Sequence, residues 1–242
     1  DAHLRQAFLK LTHLIVFRRY HKLGQYNNGL AGAMEIEKFG FIDTTGQFVI
    51  PAEYDKVGKF QEGLAKVRVD KKFGYINSEG TLVIPAKFGI ANDFVNGAAS
   101  VLEGNLFALI NPEGGYIVPP KYNQIFYAGD GLWTVEANGK YGVINTAGEV
   151  VIPLRYEQLG KFSEGLAGYK RDHLWGFIND SGQELTKPEF GLVWDFEEGL
   201  ARVGLYRGIG FLNTKGEVVI EPKGRYMDLR DFSEGLARVQ VR

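Results

Sequence analysis

Cysteine is absent from this chain, which excludes a disulfide framework, a thiol nucleophile and a thiolate metal site, and leaves the redox compartment open. Histidine is scarce: His3, His13 and His21 stand ten and eight residues apart and His173 stands alone, so no ligand spacing for a metal is present. A surplus of positive charge is also missing, because 28 Lys and Arg face 29 Asp and Glu. A nucleic-acid binder needs that surplus to displace counterions from phosphates, so this class is set aside. Long apolar runs are lacking too. The longest, Leu14-Ile15-Val16-Phe17, is too short to span a bilayer or to form the hydrophobic region of a signal peptide, so the chain as given reads as soluble, cytoplasmic or exported. No nucleophile-elbow or other catalytic motif occurs, and no cofactor is implied.

What the chain has in quantity is glycine, 32 residues in all, and much of it is periodic. One glycine slot falls at Gly40, Gly74, Ala108, Gly142, Gly176 and Gly210, and a second at Gly46, Gly80, Gly114, Gly148, Gly182 and Gly216, each series stepping by 34 residues. A fixed period of this length marks a repeat architecture, in which each copy buries its apolar face against its neighbours. Within one copy, Gly63-Leu64-Ala65-Lys66-Val67-Arg68-Val69 alternates apolar and polar residues, the pattern of a half-buried strand. Asp70-Lys71-Lys72 follows as a polar tip and Phe73-Gly74-Tyr75-Ile76 as a hairpin partner. Asn77-Ser78-Glu79-Gly80 carries Asn first and Gly fourth, as a type I turn prefers. A third strand, Leu82-Val83-Ile84, is expected to stop at Pro85. The reading is therefore an all-β repeat protein of six three-stranded antiparallel units.

The linkers add two aromatic anchors. The first recurs as Tyr54, Phe88, Tyr122, Tyr156, Phe190 and Tyr226, the second as Phe60, Phe94, Phe162, Phe196 and Phe232. Burying such a ring contributes about 1.5–3 kcal/mol, so these residues are the expected mortar between units.

Lys38-Phe39-Gly40-Phe41-Ile42-Asp43, Lys72-Phe73-Gly74-Tyr75-Ile76-Asn77 and Leu174-Trp175-Gly176-Phe177-Ile178-Asn179, with Val-Ile-Pro and Phe-Ser-Glu-Gly-Leu-Ala, closely resemble WG (KWG) repeats over residues 26 to 242. The resemblance implies a bacterial protein of β structure that mediates binding, with no catalytic motif to carry over. The chain departs from the family pattern by placing Phe, Tyr or Ile at most Trp slots and Ala108 at a Gly slot.

Such units could be the blades of a β-propeller-like ring or the rungs of an open twisted β-solenoid; the ring is favoured because it leaves only short edges. The Gly-Leu-Ala strand occurs seven times and its partners six times, and the first copy is degenerate, with Ala33 and Glu35 where the second has Val67 and Val69. This predicts that the C-terminal copy, Leu236 to Val241, takes or contests the seat beside Phe39 to Ile42 and so closes the ring.

Function is sought where one copy departs from the rest. Trp133 stands in a slot held by Ala65, Ala99, Ala167 and Ala201, while Ala128 replaces the linker Phe five residues earlier. A volume-conserving exchange in the core accounts for both; an exposed platform is the alternative. Phe126, Tyr127 and Trp194 are further off-pattern aromatics that could, with Trp133, stack on a glycan or cell-wall polymer, although core filling is the simpler reading. At the variable hairpin tips, Arg171, His173, Tyr206 and Arg207 would form a positive, aromatic-edged patch for a protein partner. The acidic slot Glu62, Asp130, Glu164, Glu198 and Glu234 is expected to bond linker amides rather than to hold cations.

Residues 1–25 form a separate segment. Leu4, Phe8, Leu11 and Ile15 recur at helical spacing, and Arg5, Lys10, Arg18, Arg19 and Lys22 outnumber the one acid, Asp1. An amphipathic α-helix is expected there, as a cap on the β body or as a docking element for a partner or an anionic membrane surface. The leading functional expectation is a non-enzymatic binding or scaffold module for protein–protein interaction. Glycan binding is the alternative, and an enzyme with a rim site the third.

Overall fold

The computed structural model describes residues 22–27, 29–222 and 226–241. Among them, the strands fall into seven antiparallel sheets, each a meander of strands consecutive in sequence. The chain divides into two compact units, residues 1–121 and 122–242, the division falling before Tyr122, the last residue of its strand. The first unit holds β1 (Lys22–Leu23), β2 (Ala31–Glu35), β3 (Lys38–Ile42) and β4 (Phe48–Tyr54); then β5 (Lys56–Val57), β6 (Leu64–Val69), β7 (Lys72–Asn77) and β8 (Leu82–Phe88); then β9 (Ile90–Ala91), β10 (Ala99–Glu103), β11 (Leu106–Ile110) and β12 (Tyr116–Tyr122). The second holds β13 (Gln124–Gly129), β14 (Leu132–Ala137), β15 (Lys140–Asn145) and β16 (Val150–Tyr156); β17 (Gln158–Leu159), β18 (Leu166–Arg171) and β19 (Leu174–Asn179); β20 (Val193–Glu197), β21 (Leu200–Leu205), β22 (Gly208–Asn213) and β23 (Val218–Ile220); and β24 (Tyr226–Ser233) with β25 (Leu236–Val241).

The three-stranded unit expected from sequence is thus corrected to a four-stranded sheet in most copies. The linker supplies the extra strand: β5 lies along the free edge of β6, with Asp55 N–H donating to Arg68 O (2.9 Å) and Gly58 N–H to Lys66 O (2.8 Å). Backbone groups on that edge would otherwise lack partners, and the polar linker is close enough to supply them. The third strand does not stop at proline either. β8 runs through Pro85 to Phe88, because Pro85 lies exposed on an outer edge strand where no ladder donor is needed.

That edge explains the first glycine slot. β7 and β8 pair as Phe73↔Phe88 and Tyr75↔Ile84, so the segment around Pro85 bulges over Gly74. A Cβ there would lie 2.4 Å from Ile84 O and 2.7 Å from Ala86 N, against backbone that cannot swing away. The second slot ends the turn. Gly80 N–H donates to Asn77 O at 3.0 Å, and the Asn77 Oδ1 accepts from Glu79 N–H (3.1 Å) and Thr81 N–H (2.9 Å), with φ +82° at Gly80. The expected type I turn is present, and its Asx bonds recur at Asp43, Asn111, Asn145, Asn179 and Asn213.

Within the units, the second aromatic anchor packs a sheet onto its predecessor in four pairs. Phe60 meets Phe41 with ring centroids 4.8 Å apart, Phe94 meets Tyr75 at 4.9 Å, Phe196 meets Phe177 at 5.0 Å and Phe232 meets Phe211 at 5.0 Å. At three junctions within the units, neighbouring sheets are also clasped through the acidic slot. The Glu62 carboxylate accepts from Asn96 N–H (2.7 Å) and Gly97 N–H (2.9 Å), and Glu198 accepts from Glu234 N–H (2.6 Å) and Gly235 N–H (2.8 Å). Glu164 accepts from Gly199 N–H at 2.9 Å.

Two expectations about the ends change. The seat beside β3 is held by β2 in full five-residue register, Ala31↔Ile42 to Glu35↔Lys38, with Ala31 and Ala33 buried. Alanine is large enough to fill that position, so β25 does not take it; β25 pairs with β24. The expected N-terminal helix lies outside the described residues except for Lys22 and Leu23, which are not helical: they pair with Met34 and Ala33 as β1. The segment boundary expected at residue 25 therefore falls inside the first sheet.

Candidate functional site

Two-residue hairpin tips join the first and second long strands of each sheet, and most require the left-handed backbone of a type I′ turn. Asp172 and His173 adopt φ of 53° and 67°, as do Asp70 and Lys71 at 48° and 67°. Tyr206 and Arg207 are different: neither has positive φ, and Gly208 (φ 134°) takes up the turn instead. Tyr206 is fully exposed there, at 104%. It stands at a concavity of about 550 Å³ lined also by Leu205, Arg207, Val218, Glu221 and Pro222.

The neighbouring tip is tied down rather than free. Arg171 forms a two-pronged ion pair with Glu184, Nη1 to Oε1 at 2.6 Å and Nη2 to Oε2 at 3.0 Å. Glu157 accepts from Asp172 N–H (3.0 Å) and His173 N–H (3.4 Å) and lies 3.7 Å from His173 Nδ1. Among the described residues no hydrogen bond or ion pair joins this tip to Tyr206 or Arg207. Of the four residues expected to make one positive patch, Arg171 is thus engaged by Glu184 and the His173 tip by Glu157, while Tyr206 and Arg207 line the concavity.

Glu184 is the centre of a cluster that sequence reading missed. Tyr156 OH donates to its Oε1 (3.1 Å) and Tyr169 OH to its Oε2 (2.8 Å), while Arg155 Nη2 donates to Tyr156 OH (2.8 Å) and lies 3.7 Å from Glu184 Oε1. Burial opposes ionisation of Glu184, but the hydrogen bonds from Arg171, Tyr169 and Tyr156 outweigh it and hold the carboxyl below the usual range. Burial, then the bond to Glu184, pushes the Tyr169 hydroxyl well up. The two phenol rings pack with centroids 4.7 Å apart, and Arg171 lies over the Tyr169 ring.

The signal for this cluster was present in the columns of the repeat. The Tyr169 slot holds Ala33, Val67, Val101, Val135 and Val203 elsewhere, and the Glu184 slot holds Phe48, Leu82, Tyr116, Val150 and Val218. Tyr169 fits because it faces Gly176 across the strand pair, where a Cβ would come within 2.9 Å of its ring. In place of a regular outer strand, residues 184–190 join β19 through the bridges Ile178↔Glu184 and Trp175↔Phe190, with Leu185 N–H donating to Phe177 O (2.7 Å) and Phe177 N–H to the Thr186 hydroxyl (3.0 Å).

Of the aromatics considered for glycan stacking, Trp133 is corrected: it is 2% exposed and packs edge-on against Tyr127 at 5.3 Å. The neighbouring Ala128, 1% exposed, frees the volume that the indole fills. Phe126 is 37% exposed. Trp194 is half-buried, with the Arg202 guanidinium 4.5 Å over its ring and Arg202 in turn paired with Asp231. Being buried, Trp133 is no part of an exposed stacking surface.

A family model described as WG containing repeat matches residues 39–73, 73–107, 107–141, 141–172, 175–205 and 209–242. Each window begins one residue into the second long strand of one sheet (β3, β7, β11, β15, β19 and β22) and ends in the next sheet, the first three on β7, β11 and β15, so six matches run through seven sheets. No curated protein matches the chain. Among solved structures, a crystal structure of a eukaryotic initiation factor superposes with a TM-score of 0.51 at 12% identity, covering 87% of this chain and 67% of the other. Hsv2 of Kluyvelomyces marxianus reaches a TM-score of 0.46 at 8% identity, covering 86% and 77%. At such identities the first likeness bears on fold alone, which is β-propeller-like.

Proposed function

The chain belongs to the WG-repeat family, and from that premise we propose that it is a non-enzymatic binding module that engages a protein partner through its hairpin tips. The observation that carries this reading is Tyr206, 104% exposed beside a concavity of about 550 Å³. Tyrosine brings a large rigid surface with a polar end, the kind of anchor that dominates protein interfaces. Leu205, Val218 and Pro222 offer an apolar floor, and Arg207 and Glu221 supply opposite charges to fix register. The shared positions of the repeat are taken up by turns, clasps and packing, which leaves the variable tips for recognition. Glycan binding is the weaker reading, because Trp133 is buried in the core.

The finer architecture belongs to the same proposal: successive sheets acting as blades of a ring. Its support is the consecutive-strand meander of every sheet and the likeness to the initiation factor.

The functional test is capture of partners from a lysate with intact chain, Tyr206→Ala and Arg207→Glu. A defined protein held by the intact chain and lost with Tyr206→Ala, a change expected to cost about 2 kcal/mol of binding, supports the reading. A partner retained equally by both variants, or no partner at all, counts against it.

A further inference from the structure

We propose that Arg155, Tyr156, Tyr169 and Arg171 form a carboxylate receptor that Glu184 occupies from within the chain, and that an acidic side chain of a partner takes this seat in exchange. The cradle is separate from the Tyr206 concavity and does not rest on the reading given for it. Its geometry is specific to a two-oxygen planar anion. One guanidinium grips both oxygens of Glu184, at 2.6 and 3.0 Å, and a phenol donates to each, at 3.1 and 2.8 Å. A fork of this kind matches a carboxylate.

Three features separate the arrangement from an ordinary surface ion pair. First, Tyr156 and Tyr169 are fully buried, and their hydroxyls have partners besides Glu184: Arg155 Nη2 donates to Tyr156 OH (2.8 Å), and Tyr169 OH also reaches Thr186 O (2.9 Å), which accepts its proton when the carboxylate is absent. Second, donors exceed acceptors: two guanidiniums face one carboxylate, and Arg155, its side chain 51% exposed, stays 3.7 Å from Glu184. The cluster therefore keeps a positive charge after Glu184 is counted. Third, the occupant sits at the start of a segment that replaces the outer strand of the four-stranded sheets: Glu184 itself makes one bridge, to Ile178, and the backbone bonds from Leu185 N–H to Phe177 O (2.7 Å) and Phe190 N–H to Trp175 O (3.0 Å) lie beyond it. The other five copies carry Phe48, Leu82, Tyr116, Val150 and Val218 at the Glu184 position, so the fold itself does not call for a carboxylate there. Tyr169 and Glu184 depart from their columns together in a single unit, and the variable slot that holds Glu35, Val69, Glu103, Ala137 and Leu205 elsewhere carries Arg171 in that unit.

The experiment compares the full chain, Glu184→Ala, Glu184→Gln and the double variant Glu184→Ala/Arg171→Met. Thermal midpoints are measured in sodium acetate and in sodium chloride at equal ionic strength, and a labelled hexaglutamate peptide is titrated by fluorescence polarisation. The expected result is that acetate raises the midpoint of Glu184→Ala but not of the unaltered chain, by stabilising the form it binds. Hexaglutamate binds Glu184→Ala about tenfold or more tighter than the unaltered chain, and Arg171→Met abolishes both effects. No acetate response and unchanged peptide affinity in folded Glu184→Ala would overturn the proposal, as would effects that persist in the double variant. Inorganic phosphate that matches acetate overturns the assignment to carboxylates. Where Glu184→Ala does not fold, Glu184→Gln decides: the amide cannot accept a fork on both atoms, so tighter hexaglutamate binding supports the cradle and unchanged binding rejects it.

Discussion

Single residues carry most of the energetic consequences. Glu184 holds its carboxyl below the ordinary value through bonds from Arg171, Tyr169 and Tyr156 against the cost of burial. A carboxyl lowered in this way adds stability above the unfolded value, about 4.3 for Glu, and loses it as pH falls through the folded value. Glu184→Gln should therefore be less stable by about 1–3 kcal/mol at neutral pH, with the gap to the unaltered chain closing below about pH 4. Chemical denaturation at several pH values checks this; a gap that persists at the lowest pH contradicts it. Ile36, 84% exposed at a tip with φ 48°, is a β-branched side chain in a left-handed backbone. Ile36→Asn should relieve that strain and stabilise by about 1 kcal/mol, raising the melting temperature in calorimetry. Gly142→Ala should do the reverse by about 1–3 kcal/mol, since its Cβ would lie 2.5 Å from Ile152 O. At this scale the glycine slots were visible in the sequence as a period. Their reason was not, because the bulge over Gly74 depends on how the edge strand slips in register.

At the scale of elements, the hairpins, Asx turns and aromatic anchors were legible because each follows from local residue chemistry. The short fourth strand was not: two residues such as Lys56-Val57 carry no period of their own and become a strand through the open edge of β6. The same limit applies at the start of the chain. Lys22-Leu23 stands 34 residues before Lys56-Val57, yet apolar spacing upstream suggested a helix running to that point. The Glu184 cluster escaped notice because its other members lie 13 to 29 residues from Glu184 in sequence and the cluster draws on β16, β18 and the segment after β19, so only the fold brings them together. The acidic slot was read correctly as an amide acceptor, and the structure adds that it reaches across to the next sheet. Glu198→Ala should leave the amides of Glu234 and Gly235 without their acceptor, at a cost of about 1 kcal/mol. Hydrogen exchange should then accelerate at those two amides and along β24 and β25. Unchanged protection would mean that the clasp is ornamental.

Over the whole molecule, charge nearly cancels and sheets recur at a fixed step, so stability should be a sum of sheet and interface contributions. If the sheets close into a ring, deleting residues 235–242 should cost protection throughout the chain; protection lost only near β24 would indicate an open series. The functional account rests on one contrast, between positions that every repeat shares and the tip that stands apart at Tyr206. Site-specific photocrosslinking tests it most directly, with a photoreactive phenylalanine at position 206 and, as control, at the exposed shared-turn residue Glu79. The account predicts crosslinks to one defined protein from position 206 and none from position 79. Equal labelling from both positions, or no protein adduct at 206, would contradict it.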